Sequence, residues 1–225
     1  MVRKREVSGG GRAVEVTPDR LERWFARFAE RNDGVLSTRL DPEQVLVRGG
    51  NGTTATVAVP FAPLTPPGGT GQAEGLAVQP LVEHLRRPRR LGLVLVRLGG
   101  HSIGIAEQGR VLVSRTDRRL VHGRNSAGGW SQQRFARRRE GQARQALAAA
   151  AEDVLEVLGS RLSELDAVVL GGDRRALDDL RADRRLAPLF ALAEPRVLEV
   201  SEPRRSVLEE AAERAQAVEV VVRDG

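Results

Sequence analysis

The residues with the most chemical content are Gly128, Gly129, Trp130, Ser131, Gln132 and Gln133. A glutamine carboxamide carries two N–H donors and a carbonyl acceptor, and it neither attacks as a nucleophile nor carries a proton at neutral pH. At a reaction centre it places a water or a carbonyl group. At a binding surface it reads a base edge. The two glycines ahead of the glutamines let the backbone approach a ligand closely. Between Arg115 and Arg144 there are nine arginines and two acids, Asp117 and Glu140, so the local charge is nine minus two, or +7, in a chain whose formal total is +6. The rest of the chain is therefore close to neutral. A glycine segment in so concentrated a cationic field fits entry into a polyanion, with the glutamines acting there as readers or as catalysts.

These residues need a platform, and the surrounding pattern predicts one. Leu91 to Leu98 is an apolar strand, Gly99-Gly100 turns the chain, Ser102 to Ala106 returns, and Gln108-Gly109 turns it again into Arg110 to Ser114. The three form an antiparallel meander. A loop from about Arg119 to Gln133 follows, then a helix from about Arg134 to Leu158 with Ala143, Leu147, Ala150, Ala151, Val154 and Leu158 on one face. A buried strand at Ala167 to Leu170, two helical pieces, a strand at Val197 to Val200, a helix from Ser201 to about Ala217 and a last strand at Val218 to Val222 complete the pattern. The order β-β-β-α-β-α-β-α predicts an α/β (α+β) fold, a mixed sheet flanked by helices, in the ribonuclease H-like architecture.

The first part of the chain reads as a small α+β unit. Ala13 to Val16 is a strand, and Thr17-Pro18 opens a helix to about Arg31 that buries Leu21, Trp24, Phe25 and Phe28. Strands follow at Val35 to Leu40, Gln44 to Val47 and Thr53 to Val59, with a turn at Gly49-Gly50-Asn51-Gly52. Pro60 to Pro80 holds five prolines and four glycines and reads as a linker. The expected division is therefore residues 1–80 and 81–225, with a short helix at Leu81 to Leu85 beginning the second part.

Composition excludes several classes. There is no Cys, and the three His residues, His84, His101 and His122, are scattered, so neither a disulfide framework nor a metal site is expected. No cofactor is expected either. No apolar run approaches the roughly 20 residues of a membrane span. Met1-Val2-Arg3-Lys4-Arg5 is not followed by an apolar stretch, which argues against a secretion signal and for the cytoplasm. A metal-dependent nuclease needs converging carboxylates, one of them on the first strand of the sheet. Leu91 to Leu98 has no acid and carries Arg97, while Glu107, Asp117 and Asp173 sit at element ends. Gly99-Gly100-His101-Ser102-Ile103-Gly104 joins two strands, so it reads as a hairpin with His101 in the turn rather than as a dinucleotide loop. Gly171-Gly172-Asp173 reads as a tight strand-to-helix turn with Asp173 as N-cap.

That leaves the segment from Arg124 to Arg139. Arg134, Arg137 and Arg138 share one face of the helix start, where the dipole disfavours cations, so an external anion is expected to compensate them. Trp130 has no evident core to join and suits stacking on a base. The segment resembles the catalytic loop of the class I release-factor superfamily of eukaryotes and archaea. Gly129-Trp130-Ser131-Gln132 followed by a basic helix is most similar to the Gly-x-x-Gln loop of the VLRF branch, which includes the tRNA-releasing hydrolase of eukaryotic ribosome quality control and shorter actinobacterial relatives. An arginine-rich chain with one lysine, Lys4, suits an actinobacterial source. The resemblance covers about Leu91 to Gly225. Unlike the Gly-Gly-Gln of termination factors, Trp130-Ser131 intervenes between Gly129 and Gln132, so stop-codon termination is not the implied role.

The resemblance implies hydrolysis of the ester that joins a nascent peptide to tRNA, on the large ribosomal subunit, in rescue of stalled ribosomes. It makes Gln132 the catalytic residue, with Gln133 as a rival, and Gly128 and Gly129 the residues that shape the loop. Arg124, Trp130, Ser131, Arg134, Arg137, Arg138 and Arg139 would contact rRNA or tRNA, and His122 a phosphate. The implied partners are the large subunit, rRNA and peptidyl-tRNA, with no membrane and no DNA; a monomer is expected. The alternative is a non-enzymatic RNA- or ribosome-binding module that uses the same basic segment.

Overall fold

The computed structural model describes residues 4–7, 9–97, 99–118 and 130–225, with Lys4, Arg118 and residues 130–140 as backbone only. Among these residues the chain divides into two compact units, residues 1–88 with 216–225, and residues 89–215. Each has its own buried cluster.

The first unit contains β1 (Lys4–Glu6), β2 (Arg12–Val16), α1 (Pro18–Arg31), β3 (Val35–Leu40), β4 (Gln44–Gly49), β5 (Thr54–Ala58), β6 (Gly71–Glu74) and α2 (Gln79–Arg86). Thr17 is the N-cap of α1, with Pro18 at its start; the cap acts through its backbone carbonyl, which accepts from Arg20 N–H at 3.0 Å. Leu21, Phe25 and Phe28 are buried, and Trp24, half-buried, stacks on Phe28 with ring centroids 5.9 Å apart. The division differs from the one expected. Pro60 to Pro80 is not a linker: Leu64 within it is buried and β6 pairs along β3. The last strand also leaves the second unit, as described below. Both differences have one cause. Proline and glycine mark local turns, but they carry no information about which distant strand a segment pairs with.

The second unit contains β7 (Arg90–Arg97), β8 (Gly100–Glu107), β9 (Arg110–Arg118), α3 (Trp130–Val157), β10 (Ala167–Gly172), α4 (Arg174–Arg181), α5 (Ala187–Ala191), β11 (Ala193–Leu198) and α6 (Arg205–Ala215). Its sheet order is β11-β10-β7-β8-β9; β7 to β9 form the antiparallel meander, and β10 and β11 add in parallel. Six consecutive residues of β7 are buried, as expected of a central strand covered on both faces. Ile103 and Ile105 of β8 face α3, while a Cβ on Gly104 would meet Leu208 of α6 at 2.9 Å. The tight turn after β10 is built as its sequence implies: Gly172 has φ +107, and the Asp173 side chain accepts from Arg175 N–H.

The strand that follows α6, β12 (Val218–Arg223), pairs with β2 and β5, so the first unit's sheet runs β1-β2-β12-β5-β4-β3-β6 and is antiparallel throughout. Expected as the end of the second unit, β12 instead puts Val218, Val220 and Val222 in the centre of the first core.

Candidate functional site

Two elements hold the ends of the arginine-rich segment, β9 before it and α3 after it. Residues 119–129 lie outside the described residues, and with them Arg124, Gly128, Gly129 and His122. Helix α3 begins at Trp130, four residues earlier than expected. Trp130, Ser131, Gln132 and Gln133 therefore form its first turn rather than the end of a loop. Two consequences follow. The N–H groups of a first turn have no partner inside the helix, so the Gln132 backbone N–H is among the donors left to an external acceptor. Arg134, Arg137, Arg138 and Arg139 fall in the second and third turns, and the dipole acts mainly within the first. Dipole repulsion at these arginines is therefore weaker than the expected helix start implied.

Among the described side chains of α3, those from Gly141 on, the packed part begins at Ala150. Ala150, Ala151, Val154, Val157 and Leu158 are buried, Leu147 is half-buried, and none of residues 141–149 is buried. At about 1.5 Å rise per residue, Gln132 lies roughly 27 Å along the helix from Ala150.

A polar cluster ties this packed end to the strands. His101 is not a turn residue: it lies on β8, 3% exposed, on the face that carries Ile103 and Ile105. Its Nε2–H donates to Asp153 Oδ2 of α3 at 2.7 Å. The other oxygen of Asp153 pairs with Arg115 Nε of β9 at 3.0 Å, and Arg115 also pairs with Glu156 one turn further along α3. On the opposite face of the sheet, the hydroxyls of Ser102 and Thr116 are 2.6 Å apart, which joins β8 to β9. A buried carboxylate satisfied by two donors from two strands ties α3 to β8 and β9. An exposed brace adds to it. Arg185 donates to Glu152 of α3 at 2.7 Å and to Asp183 at 2.7 Å. The side-chain and backbone hydrogen bonds from Arg185 hold the Asp183 carboxyl below its ordinary pKa.

Beside the cluster an open cleft of about 520 Å³ is lined by Arg115, Thr116, Asp117, Ala149, Glu152 and Asp153. Its charges are mixed. Among the described residues no group of three or more His, Asp or Glu is arranged to hold a metal ion. Glu107 is committed to Arg90 at 3.4 Å and Asp173 to the start of α4. No described helix is long and apolar enough to cross a membrane.

The family model of the Actinobacteria/chloroflexi VLRF1 release factor matches residues 89–221, more than half of the chain. The chain belongs to that release-factor family. The match spans β7 to β12 and so includes the whole segment between β9 and α3.

Solved structures that this chain matches include an archaeal translation termination factor, aRF1, at 12% identity and TM-score 0.42, covering 89% of this chain and 72% of that one. Another is Dom34 of S. cerevisiae, described as a translation termination-like factor, at 9% identity and TM-score 0.32, covering 96% of this chain and 69% of that one. A third is Pelota of Archaeoglobus fulgidus, at 12% identity and TM-score 0.28, covering 94% of this chain and 64% of that one. A comparison with curated proteins gave no match.

Sequence reasoning did not find the residues that position this release factor's α3, namely His101, Arg115, Asp153 and Glu156. One signal was present. The period of two along β8 places His101 on the same face as Ile103 and Ile105, inward rather than in the turn.

Proposed function

We propose that this release factor hydrolyses the ester between a nascent peptide and tRNA on the large ribosomal subunit, rescuing stalled ribosomes. Membership of the release-factor family, with Gly128 to Gln133 inside the matched span, is the observation that carries the reading. Gln132 is the catalytic residue. Its carboxamide orients the attacking water, and its backbone N–H, in the first turn of α3, suits the oxyanion of the tetrahedral intermediate. Gly128 and Gly129 let the backbone approach the ester, and Gln133 is the alternative to Gln132. Arg124, Arg134, Arg137, Arg138 and Arg139 bind rRNA or tRNA phosphates, with Trp130 and Ser131 on neighbouring nucleotides. The three antiparallel strands followed by two parallel ones support the ribonuclease H-like reading of this unit.

The test is release of peptide from tRNA on purified ribosome–nascent-chain complexes. Gln132→Ala is expected to lower the release rate by about a hundredfold or more, the usual cost of one lost transition-state contact, with binding to the complexes unchanged. Loss in Gln133→Ala instead moves the role by one residue. Full activity in both variants eliminates the mechanism. Binding of the complexes by the wild-type chain without any release leaves a non-enzymatic ribosome-binding module.

A further inference from the structure

We propose that the outer face of α1 is a second RNA-binding surface, with Arg20, Arg23, Arg27 and Arg31 placed to contact phosphates along one strand. This goes beyond the hydrolysis reading and does not depend on it. The four arginines are all exposed and recur at spacings of three, four and four. At 100° per residue they fall within about 80° of arc, and at about 1.5 Å per residue they span roughly 16 Å of one helix face.

The neighbouring acids do not neutralise the stripe. Among the described residues Arg23, Arg27 and Arg31 form no ion pair, and Arg20 reaches Asp19 only at 3.8 Å. Glu22 lies towards α2, 3.9 Å from Arg86, and Glu30 pairs with none of the four. Arg23 with Arg27 and Arg27 with Arg31 are like charges at i,i+4, an arrangement that costs helix stability and is relieved when an external anion lies between them. The helix dipole compensates only Arg31, in the last turn.

The chemistry selects RNA among polyanions. A membrane-surface helix presents an exposed apolar face, but the apolar face of α1 (Leu21, Phe25, Phe28) is buried in the first core. A row of planar guanidinium groups matches phosphates at regular intervals. Half-buried Trp24 borders the row and offers an aromatic edge beside the nucleotide path. Membership of a release-factor family makes the polyanion in reach RNA.

The test is equilibrium binding of the full chain to a labelled mixed-sequence RNA duplex across a salt series. Arg23→Gln with Arg27→Gln is expected to weaken binding about tenfold at low salt and to flatten the plot of log affinity against log salt by about two. Arg39→Gln, whose guanidinium is committed to Asp41 at 2.9 Å, should change neither. The thermal midpoint should stay or rise, because a like-charge pair is removed. If the double variant does not fold, Arg31→Gln alone is expected to flatten the slope by about one. Gln132→Ala should leave this binding intact, which separates failure of the hydrolysis reading from failure of this one. An unchanged slope in a folded variant overturns the proposal. An equal loss of binding to a polyglutamate peptide also overturns it, because the surface would then be a general anion binder.

Discussion

Helices α1 and α3 both carry rows of arginine, and their described side chains are packed differently. Helix α1 is held along its length: Leu21, Phe25 and Phe28 are buried and Trp24 stacks on Phe28, so its arginines stand on a rigid face. Among the described side chains of α3, which begin at Gly141, burial begins at Ala150, and a buried carboxylate, Asp153, is bound by His101 and Arg115. Its arginines and Gln132 lie far up the helix from that anchorage. The same side-chain chemistry thus serves two mechanical arrangements. One presents charge on a helix whose opposite face is buried along its length. The other places Gln132 on an arm of helix roughly 27 Å from the first buried residue, Ala150.

The comparison is broken most severely by removing the anchor of either helix. Phe25→Ala removes a fully buried ring from α1 and is expected to cost about 3–5 kcal/mol. Chemical denaturation should show the loss in the first unit. A cost below about 1 kcal/mol would mean that α1 is not held as described. For α3 the equivalent change is Asp153→Ala, which leaves the buried His101 N–H without its acceptor and Arg115 with only Glu156. Arg115 is about half exposed at 48%, which limits the charge penalty, so the expected cost is about 2–3 kcal/mol. Peptide release should fall as well, with RNA binding through α1 unaffected. Gln132→Ala should lower release as well, but with no change in melting. Should Asp153→Ala melt at the wild-type temperature and release peptide at the wild-type rate, the cluster does not set the arm.

The difference between the helices also explains what the sequence made legible. The meander of β7, β8 and β9 could be read because an apolar run and two glycine turns are local signals. The turn at Gly172-Asp173 could be read for the same reason, because its cap bonds two residues away. The destination of β12 could not: its alternating valines mark a strand, but its partners β2 and β5 lie more than 150 residues earlier in the chain. His101 was misread because its partner, Asp153, is 52 residues away and on another element. The chemical residues from Gly128 to Gln133 were visible as a type and a spacing. The helix that starts within them was not, because polar residues after two glycines carry the marks of a loop, and Trp130 is not a capping residue.

The smallest expected effect tests where packing begins among the described side chains of α3. Val154 is 1% exposed in the core, whereas Leu147, two turns earlier, is only half-buried. If the core alone determined cost per carbon, truncating the larger leucine would hurt more. The packing reverses that order. Val154→Ala empties space that the surrounding core cannot fill and should cost about 2 kcal/mol. Leu147→Ala gives up partial burial in a place where solvent closes the gap, about 0.5–1 kcal/mol, or a midpoint shift of only a few degrees. Equal costs, or a larger one at Leu147, would extend the anchorage of α3 toward its tip. The arm would then be shorter than the roughly 27 Å between Ala150 and Gln132 along the helix.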